Sequence, residues 1–251
     1  MIFRTVLKGL RVGSEFCRML IGEGLLALGC LLWSPVAIVL SILLPRERGK
    51  RCGRRLACVA FRCYLRCLAL MRVYRFNLAA LDGLRQAPPM IIAPNHPSLL
   101  DALVILSRNN NAACILKASL LDNFFLGSAA RLAGHIPNNW FIGTISLAVE
   151  SLQNGSHVLL FPEGTRTEQG PVDPIKGSIG VIAKRANVPI QTVIIDTDTL
   201  FLGKGWPWWR SPVMPITYTV RLGERFDPPH DIARLPQMLE ASFRRALNAR
   251  I

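Results

Sequence analysis

The chain has 251 residues, enough for one sizeable α/β domain with a small attachment, and it carries a formal net charge of +14 with a pI near 10.3. The charge is uneven, because residues 1–75 hold 14 Lys and Arg against three acids and also hold the most apolar run of the chain. Basic residues that flank an apolar run, without interleaved aromatic residues, argue against a nucleic-acid partner.

The seven cysteines predict reduced thiols. Six of them lie within the first 67 residues among apolar and basic neighbours, and neither a CxxC motif nor a Cys/His metal spacing occurs. We expect them to act as small apolar residues in a reducing compartment rather than as a disulfide or metal framework. The sequence therefore predicts no metal site.

The first predicted element is an apolar helix from Gly24 to Leu44, read as GLLALGCLLWSPVAIVLSILL. These 21 uncharged residues are just long enough, at about 1.5 Å per residue, to cross a bilayer core. The run lies too far from the N-terminus to resemble a signal peptide. Ser34-Pro35 near its middle leaves two alternatives open, a single span or a re-entrant hairpin.

A basic interfacial helix is predicted next. On a helical wheel one stripe is basic and the opposite stripe is apolar. The basic positions are Arg51, Arg54, Arg55, Arg62 and Arg66, and the apolar ones are Leu56, Ala60, Tyr64, Cys67 and Met71. Such a helix suits anionic headgroups, whereas the plain alternative is a solvated basic face. We therefore divide the chain into a membrane anchor with this helix, residues 1–75, and a second domain, residues 76–251.

The second domain alternates short apolar runs with helix-length segments. The predicted strands are residues 90–93, 112–116, 157–161, 189–195 and 216–222. The predicted helices are residues 99–108, 119–132, 144–154, 176–186 and 232–250. The pattern predicts an α/β fold with a mixed, largely buried sheet and helices on both faces. Chemistry is then expected beyond the carboxyl ends of the strands.

The first polar motif follows the first of these strands. Pro97 disfavours helical backbone at His96, so the histidine should lie in a turn, with Asp101 one turn inside the next helix. A carboxylate on one ring nitrogen fixes the tautomer and leaves the other nitrogen free to take a proton. The pair predicts a general base for a substrate hydroxyl, and the plain alternative is a histidine that only caps the turn.

The second motif follows the strand at 157–161. Gly164 permits unusual backbone geometry, Thr165 supplies a hydroxyl, and Arg166 offers a planar fork of donors that suits a phosphate. An exposed arginine on a surface turn is the alternative.

Together the motifs resemble those of the glycerolipid (lysophospholipid) acyltransferase family. The matching residues are Asn95-His96-x-Ser98-x-x-Asp101, then Phe161-Pro162-Glu163-Gly164-Thr165-Arg166, then Val188-Pro189-Ile190 before a strand. The resemblance covers residues 70–225. It implies that His96 deprotonates the acceptor hydroxyl, that Asp101 orients His96, and that Glu163, Gly164, Thr165 and Arg166 bind the acceptor, with Arg166 on its phosphate. The acyl donor would be a thioester of coenzyme A or acyl carrier protein, and no cofactor is implied.

One family motif differs. Between the two motifs the family has an arginine that also meets the acceptor phosphate, whereas residues 134–140 read Gly-His-Ile-Pro-Asn-Asn-Trp. With residues 202–206, Leu-Gly-Lys-Gly-Trp, this segment is similar to a subgroup associated with aryl polyene and xanthomonadin-type pigments. We expect weaker binding of a small phosphomonoester, with neutral contacts from residues 135 and 138–140, unless Lys176 or another base replaces the arginine.

The sequence thus predicts a membrane-bound O-acyltransferase that acts on a lysophospholipid-like acceptor among membrane lipids. Two alternatives are acylation of a non-glycerophosphate acceptor in pigment synthesis and a catalytically idle membrane lipid-binding protein. The denser basic cluster after the apolar run favours a cytoplasmic catalytic domain, and the resemblance implies the bacterial inner membrane.

Overall fold

The structure is a computed structural model that describes residues 2–207 and 209–248. Two long helices open the chain, α1 (Ile2–Leu43) and α2 (Arg46–Leu70). Helix α1 continues through Pro35, and the Ser34 hydroxyl donates to the Cys30 carbonyl over 2.9 Å. No hairpin therefore forms at Ser34-Pro35, and the chain reverses only between α1 and α2.

Helix α1 lies along the rest of the protein rather than projecting from it. Near one end the Met214 N–H donates to Glu15 Oε1 over 3.3 Å, and Met19 is buried. Further along, the Ser34 hydroxyl donates to the Phe125 carbonyl over 3.0 Å, and Ala37 is fully buried. One stripe of α1 is therefore covered by protein over more than 20 residues.

The remaining elements alternate along the chain. The strands are β1 (Tyr74–Asn77), β2 (Ile91–Pro94), β3 (Ala112–Leu116), β4 (Ile136–Pro137), β5 (His157–Leu159), β6 (Ile190–Thr197) and β7 (Ile216–Phe226). The helices are α3 (Asp101–Arg108), α4 (Gly127–Leu132), α5 (Phe141–Gln153), α6 (Ser178–Ala186) and α7 (Leu235–Asn248), with 3₁₀ turns at Ala79–Gln86 and Ala118–Leu120.

The strands form one mixed sheet in the order β1-β7-β6-β2-β5-β3-β4. Strands β2 to β6 run in one direction, β7 is antiparallel to β6, and β1 is parallel to β7. The carboxyl ends of β2 and β5 are neighbours as a result, and the beginning of β7 reaches the same edge of the sheet.

Alternation along each strand builds a separate core on each face of the sheet. Ile92 and Leu159 point into the core that α2 and α3 cover, whereas their neighbours Ile91 and Val158 point into the core that α5, α6 and α7 cover. All four side chains are fully buried. The predicted α/β fold with helices on both faces is therefore confirmed.

Several local predictions need correction. The single helix predicted at 119–132 is wrong, because the Asn123 side-chain oxygen accepts hydrogen bonds from the N–H groups of Phe125 and Leu126 and turns the chain there. Strands β1 and β4 were not predicted. The other predicted strands and helices are present with shifted ends, and residues 249–250 of the last helix lie outside the described residues.

The basic stripe of α2 is only partly on the surface. Arg51, Arg55 and Arg66 are exposed, but Arg54 is buried and donates to the Ala133 carbonyl over 2.8 Å. Arg62 donates to the carbonyl of Ser107 at the end of α3. Only part of the predicted basic stripe is therefore available to a membrane surface, because Arg54 and Arg62 dock α2 on the domain, and the interfacial role of α2 stays a prediction. Leu65 and Leu68 of α2 belong to the main core, and the division of the chain at residue 75 stays a prediction.

Candidate active site

The two polar motifs meet because the strands that precede them are adjacent. Strands β2 and β5 pair in parallel, with Ile92 opposite Leu159, so the loops that follow them leave the same edge of the sheet. The N–H of Thr167 in the second loop donates to the His96 carbonyl in the first over 2.8 Å. The site therefore lies beyond the carboxyl ends of the strands, where α/β sheets usually place their chemistry.

His96 and Asp101 are in direct contact. His96 Nδ1 lies 2.7 Å from Asp101 Oδ2, and the Ser98 N–H donates to the same carboxylate oxygen over 2.9 Å. Helix α3 begins at Asp101, so its first residue faces back towards the turn that holds His96. The arrangement leaves Nε2 as the ring nitrogen that is not bonded to Asp101.

Asp101 is held in the protein interior. Its side chain has no exposed surface, and its second oxygen, Oδ1, accepts a hydrogen bond from the Tyr218 hydroxyl of β7. Burial raises the pKa of Asp101 to about 6, while the bonds from His96 and Ser98 oppose that rise. A carboxylate in this setting is well placed to hold the histidine and has no path to substrate of its own.

The His96 ring is fixed from a second direction by Phe161. The two rings stack, with centroids 3.8 Å apart and planes inclined by 21°, and the His96 side chain is 16% exposed. Asn95 holds the backbone of the turn, since its amide donates to the Ile195 carbonyl over 3.0 Å and accepts from the Ile195 N–H over 2.7 Å. The imidazole is therefore locked by packing on one side and accessible on another.

Glu163 joins the two loops from inside the protein. It is 2% exposed, and Oε1 accepts from the His96 N–H over 2.9 Å. Oε2 accepts from the Thr167 hydroxyl over 2.8 Å and from the Asp173 N–H over 2.9 Å. Burial raises the pKa of Glu163, and these three donors oppose the rise. The Glu163 carboxylate thus faces the loop backbone, whereas Gly164 and Thr165 lie exposed at the surface.

Arg166 spans from the second loop to the segment that follows β6. Its Nη1 donates to the carbonyls of Leu202 and Gly203 over 2.9 Å and 3.0 Å. Leu202 has a left-handed backbone with φ of 60°, a strained conformation for a leucine, and its carbonyl also accepts from the Leu99 N–H. Arg166 thus secures a strained segment beside His96.

A second cation, Lys176, lies against the same loop at Gly164. Gly164 has φ of 75°, and the Lys176 side chain crosses it so closely that a Cβ on Gly164 would lie 2.5 Å from Lys176 Nζ. Any side chain at position 164 would therefore displace the lysine.

Comparison with known proteins fits this geometry. Residues 75–196 match the family model described as Acyltransferase, and this range contains both loops. Over 136 residues, 51% of the chain, it is 26% identical to the chloroplastic 1-acyl-sn-glycerol-3-phosphate acyltransferase BAT2 of Brassica napus. Over 186 residues, 70% of the chain, it is 26% identical to the human 1-acyl-sn-glycerol-3-phosphate acyltransferase beta. Over the part that contains both loops, the chain is similar to glycerolipid acyltransferases.

The matches to these glycerolipid acyltransferases span only 40% of the Brassica protein and 65% of the human protein. The fold is also similar to a solved structure, the 1-acyl-sn-glycerophosphate (LPA) acyltransferase PlsC from Thermotoga maritima. That likeness has a TM-score of 0.70 and 19% identity and covers 96% of this chain and 98% of the other.

Residues 134–140 correspond to the family motif whose arginine this chain lacks. Strand β4 lies in the middle of this segment, with His135 before it and Trp140 after it. His135 precedes the strand at the edge of the sheet opposite His96, and its Nδ1 accepts from the Cys114 N–H over 3.1 Å. Burial, together with the charge of Arg54, lowers the pKa of His135 to about 4. The prediction that His135 contacts the acceptor is therefore wrong, whereas Trp140, after the strand, is exposed.

Two residues that support the site, Tyr218 and Asp173, were not predicted from the sequence. Tyr218 lies among alternating residues of a strand, where its position indicated burial but not a partner for its hydroxyl. Asp173 accepts from the N–H groups of Glu168 and Gln169, both over 2.8 Å, and so closes the second loop. Within the described residues, no group of three or more His, Cys, Asp or Glu could hold a metal ion.

Proposed function

We propose that the protein is an O-acyltransferase that moves a fatty acyl group from a thioester to the hydroxyl of a lysophosphatidate-like acceptor at a membrane surface. The observation that carries this proposal is the His96–Asp101 contact at 2.7 Å, directly beside the loop that holds Arg166. A protein that only binds lipid has no use for a fixed, accessible base.

In the proposed reaction His96 Nε2 takes the proton of the acceptor hydroxyl as its oxygen attacks the thioester carbonyl carbon. The carbonyl oxygen takes up negative charge, and then the C–S bond breaks to give the ester and a thiolate. The proton on His96 passes to the thiolate and yields the free thiol. Asp101 keeps Nδ1 protonated and stabilises the imidazolium throughout.

Arg166 and Lys176 are proposed to hold the acceptor phosphate. Two hydrogen bonds of Arg166 go to backbone carbonyls, and a guanidinium has five N–H donors, so donors remain for a phosphate. Lys176, which lies across Gly164, supplies a second charge where the family motif at 134–140 lacks its arginine. Glu163 contributes by positioning the loop, because its carboxylate is already used by backbone and Thr167 donors.

The side of the protein that carries α1 is proposed to lie on the bilayer, so that the catalytic edge of the sheet reaches the membrane surface at one end of this side. Large apolar side chains are exposed on the loops at this edge, and the outer face of α1 is also apolar. The loop residues include Leu99, Phe124, Trp140, Leu200 and Val213. By length and composition residues 11–43 could cross a membrane, and only 11% of their most apolar stretch is buried. Because α1 is packed along the domain, we propose that it lies in the interface of the bacterial inner membrane, with the domain on the cytoplasmic side.

An acceptor series tests the function. The purified full chain would be given acyl-CoA or acyl carrier protein thioesters with lysophosphatidic acid, a zwitterionic lysophospholipid or an uncharged monoacylglycerol. We expect the highest kcat/KM with lysophosphatidic acid, and a raised KM for that acceptor alone in Lys176→Gln. A higher kcat/KM for the uncharged acceptor would instead support acylation of a non-glycerophosphate compound such as a pigment precursor.

A further inference from the structure

A large basic cavity lies at the edge of the sheet opposite His96. Its volume is about 760 Å³, and its walls are the first half of α2, the end of α5 and the segments that lead into β3, β4 and β5. None of the proposed catalytic or acceptor-binding residues lines it. The cavity is therefore separate from the acyl-transfer site.

The charge of the cavity wall is strongly positive. Among the described residues that line it, seven are Lys or Arg and two are acidic, Glu47 and Glu150. The pair Lys50 and Glu47 forms an ion pair at 2.7 Å. His135, also in the wall, adds no charge near neutral pH because its pKa is lowered to about 4. Five uncompensated positive charges around one concave surface attract anions strongly.

Arg54 indicates independently that the cavity suits an anion. The residue is 6% exposed, and its hydrogen-bond partners are neutral, namely the Ala133 carbonyl at 2.8 Å, the Ser156 hydroxyl at 2.6 Å and the Asn111 amide oxygen at 3.5 Å. Burial lowers the pKa of Arg54 to about 10, and the charge of Glu47 opposes that effect. A buried guanidinium without a carboxylate beside it is unfavourable unless an anion compensates it.

A hydroxyl in the same wall also lacks a partner. Ser151 Oγ is buried and makes no hydrogen bond to any described residue. It can donate to an anion oxygen, as the guanidinium groups can. The cavity wall thus combines positive charge with a hydroxyl donor, Ser151, that no described residue uses.

Exposed apolar residues at the end of α1 lie beside the cavity and indicate which kind of anion it suits. Ser41 and Leu44 belong to the cavity wall, and the two residues between them, Ile42 and Leu43, are 77% and 71% exposed. A basic cavity that adjoins exposed apolar side chains matches a ligand with an anionic head and apolar tails. A soluble anion has no apolar part that could pack on Ile42 and Leu43, so these residues would not stabilise its binding.

We propose that this cavity binds the phosphate headgroup of an anionic phospholipid, whose acyl chains lie beside the end of α1. The bound lipid is not the acceptor of acyl transfer. It holds the N-terminal half of α2 at the membrane. It thereby sets how the edge of the sheet that carries His96 is oriented relative to the membrane. The proposal depends on membrane association but not on catalysis.

Vesicle binding of charge-matched variants tests the proposal. The cavity variant is Arg51→Gln, Arg55→Gln, Arg85→Gln, and the control is Arg48→Gln, Arg66→Gln, Arg75→Gln, which removes the same charge from exposed positions outside the cavity. All six arginines are exposed, so both variants are expected to fold, which circular dichroism checks. Partition would be measured on phosphatidylcholine vesicles with and without phosphatidylglycerol.

On vesicles with phosphatidylglycerol we expect the partition coefficient of the control to fall about twofold, because each basic residue near an anionic surface contributes to binding. The partition coefficient of the cavity variant should fall about tenfold, because it also loses the headgroup site. Replacing the same three residues by lysine should restore partition. Acyl transfer in detergent micelles should match wild type in both variants, which separates this proposal from the proposed function. Equal losses in the two variants would show diffuse surface attraction and overturn the site.

Inorganic pyrophosphate serves as the second probe, added to the protein without vesicles. If it raises the Tm of wild type but not of the cavity variant, while both variants partition alike on vesicles, the cavity takes a soluble anion and the lipid proposal is wrong. If vesicle partition alone separates the variants, the headgroup assignment stands.

Discussion

Asp101 is held by three donors from two parts of the chain. His96 and Ser98 come from the turn just before it, while Tyr218 comes from β7, 117 positions away. The first two contacts could be predicted, because Pro97 restricts the turn and the residues are close in sequence. The third could not, since it depends on the antiparallel register of β6 and β7, which no local pattern specifies.

Substitutions at the pair should separate the roles of base and positioning residue. His96→Ala is expected to abolish acyl transfer, and Asp101→Asn to lower kcat on the order of 10²- to 10⁴-fold, because the tautomer and the imidazolium lose their support. Steady-state kinetics with a defined thioester would measure both. Asn109→Ala, a buried polar change at the far end of α3, is the control for general damage to the helix. Near wild-type turnover in His96→Ala would remove His96 from the mechanism.

The pH dependence follows from the raised pKa of Asp101. Protonated Asp101 cannot stabilise the imidazolium, so kcat/KM should rise with pH through about 6 and then level off. Tyr218→Phe removes a donor to the ionised carboxylate, raises the pKa further and should move this limb to higher pH. A limb that moves to lower pH in Tyr218→Phe would contradict the assignment.

The same shift has a consequence for stability. Because the native state holds this proton more tightly than the unfolded chain, the contribution of Asp101 to the free energy of unfolding falls as the pH rises from 3.8, the ordinary pKa of an aspartate, to about 6, its pKa in the folded protein.

Helix α2 approaches the segment between α4 and β4 so closely that only glycine fits. A Cβ on Gly53 would lie 2.9 Å from both the Ala133 nitrogen and Leu132 Cγ. Gly53→Ala should lower the free energy of unfolding by up to about 2 kcal/mol, because an overpacking cost of about 1–3 kcal/mol is offset by a gain in helix propensity of only about 1 kcal/mol. Denaturant unfolding in mild detergent would measure it.

The matched control is Gly83→Ala, where no atom lies within 4 Å of the new Cβ. An unchanged free energy of unfolding in Gly53→Ala would mean that α2 is free to shift away from the domain.

Sequence patterns predicted the buried inner strands better than the two strands at the ends of the sheet. Strands β2, β3 and β6 are parallel and covered on both faces, so each appears as a continuous apolar run. Strand β1 is four residues with mixed polarity at the sheet edge, and β4 has two residues, too few for a period. The basic stripe of α2 misled for a related reason, because the docking of Arg54 depends on acceptors 79 and 102 positions away.

The exposed apolar face of α1 is the part of the protein that we expect to insert into the membrane. The outer face of α1 exposes apolar side chains along most of its length, including Leu28 and Leu32 at 51% and 64%. The protein should stay with membranes in about 1 M salt, where the Debye length of about 3 Å removes surface attraction but not apolar insertion. Leu28→Glu with Leu32→Glu should release it, whereas alanine at both positions should not, as sedimentation and immunoblotting would show. Complete release of wild type by salt alone would mean that this face does not insert.

The late position of β7 in the chain affects the order in which parts of the site form during translation. Helices α1 and α2 leave the ribosome first and carry the surface proposed for the bilayer, while Tyr218 emerges after every other donor to Asp101. A nascent chain can therefore reach the lipid before its base is fully supported. We therefore expect acyl transfer to reach its full rate only after the last strand has joined the sheet.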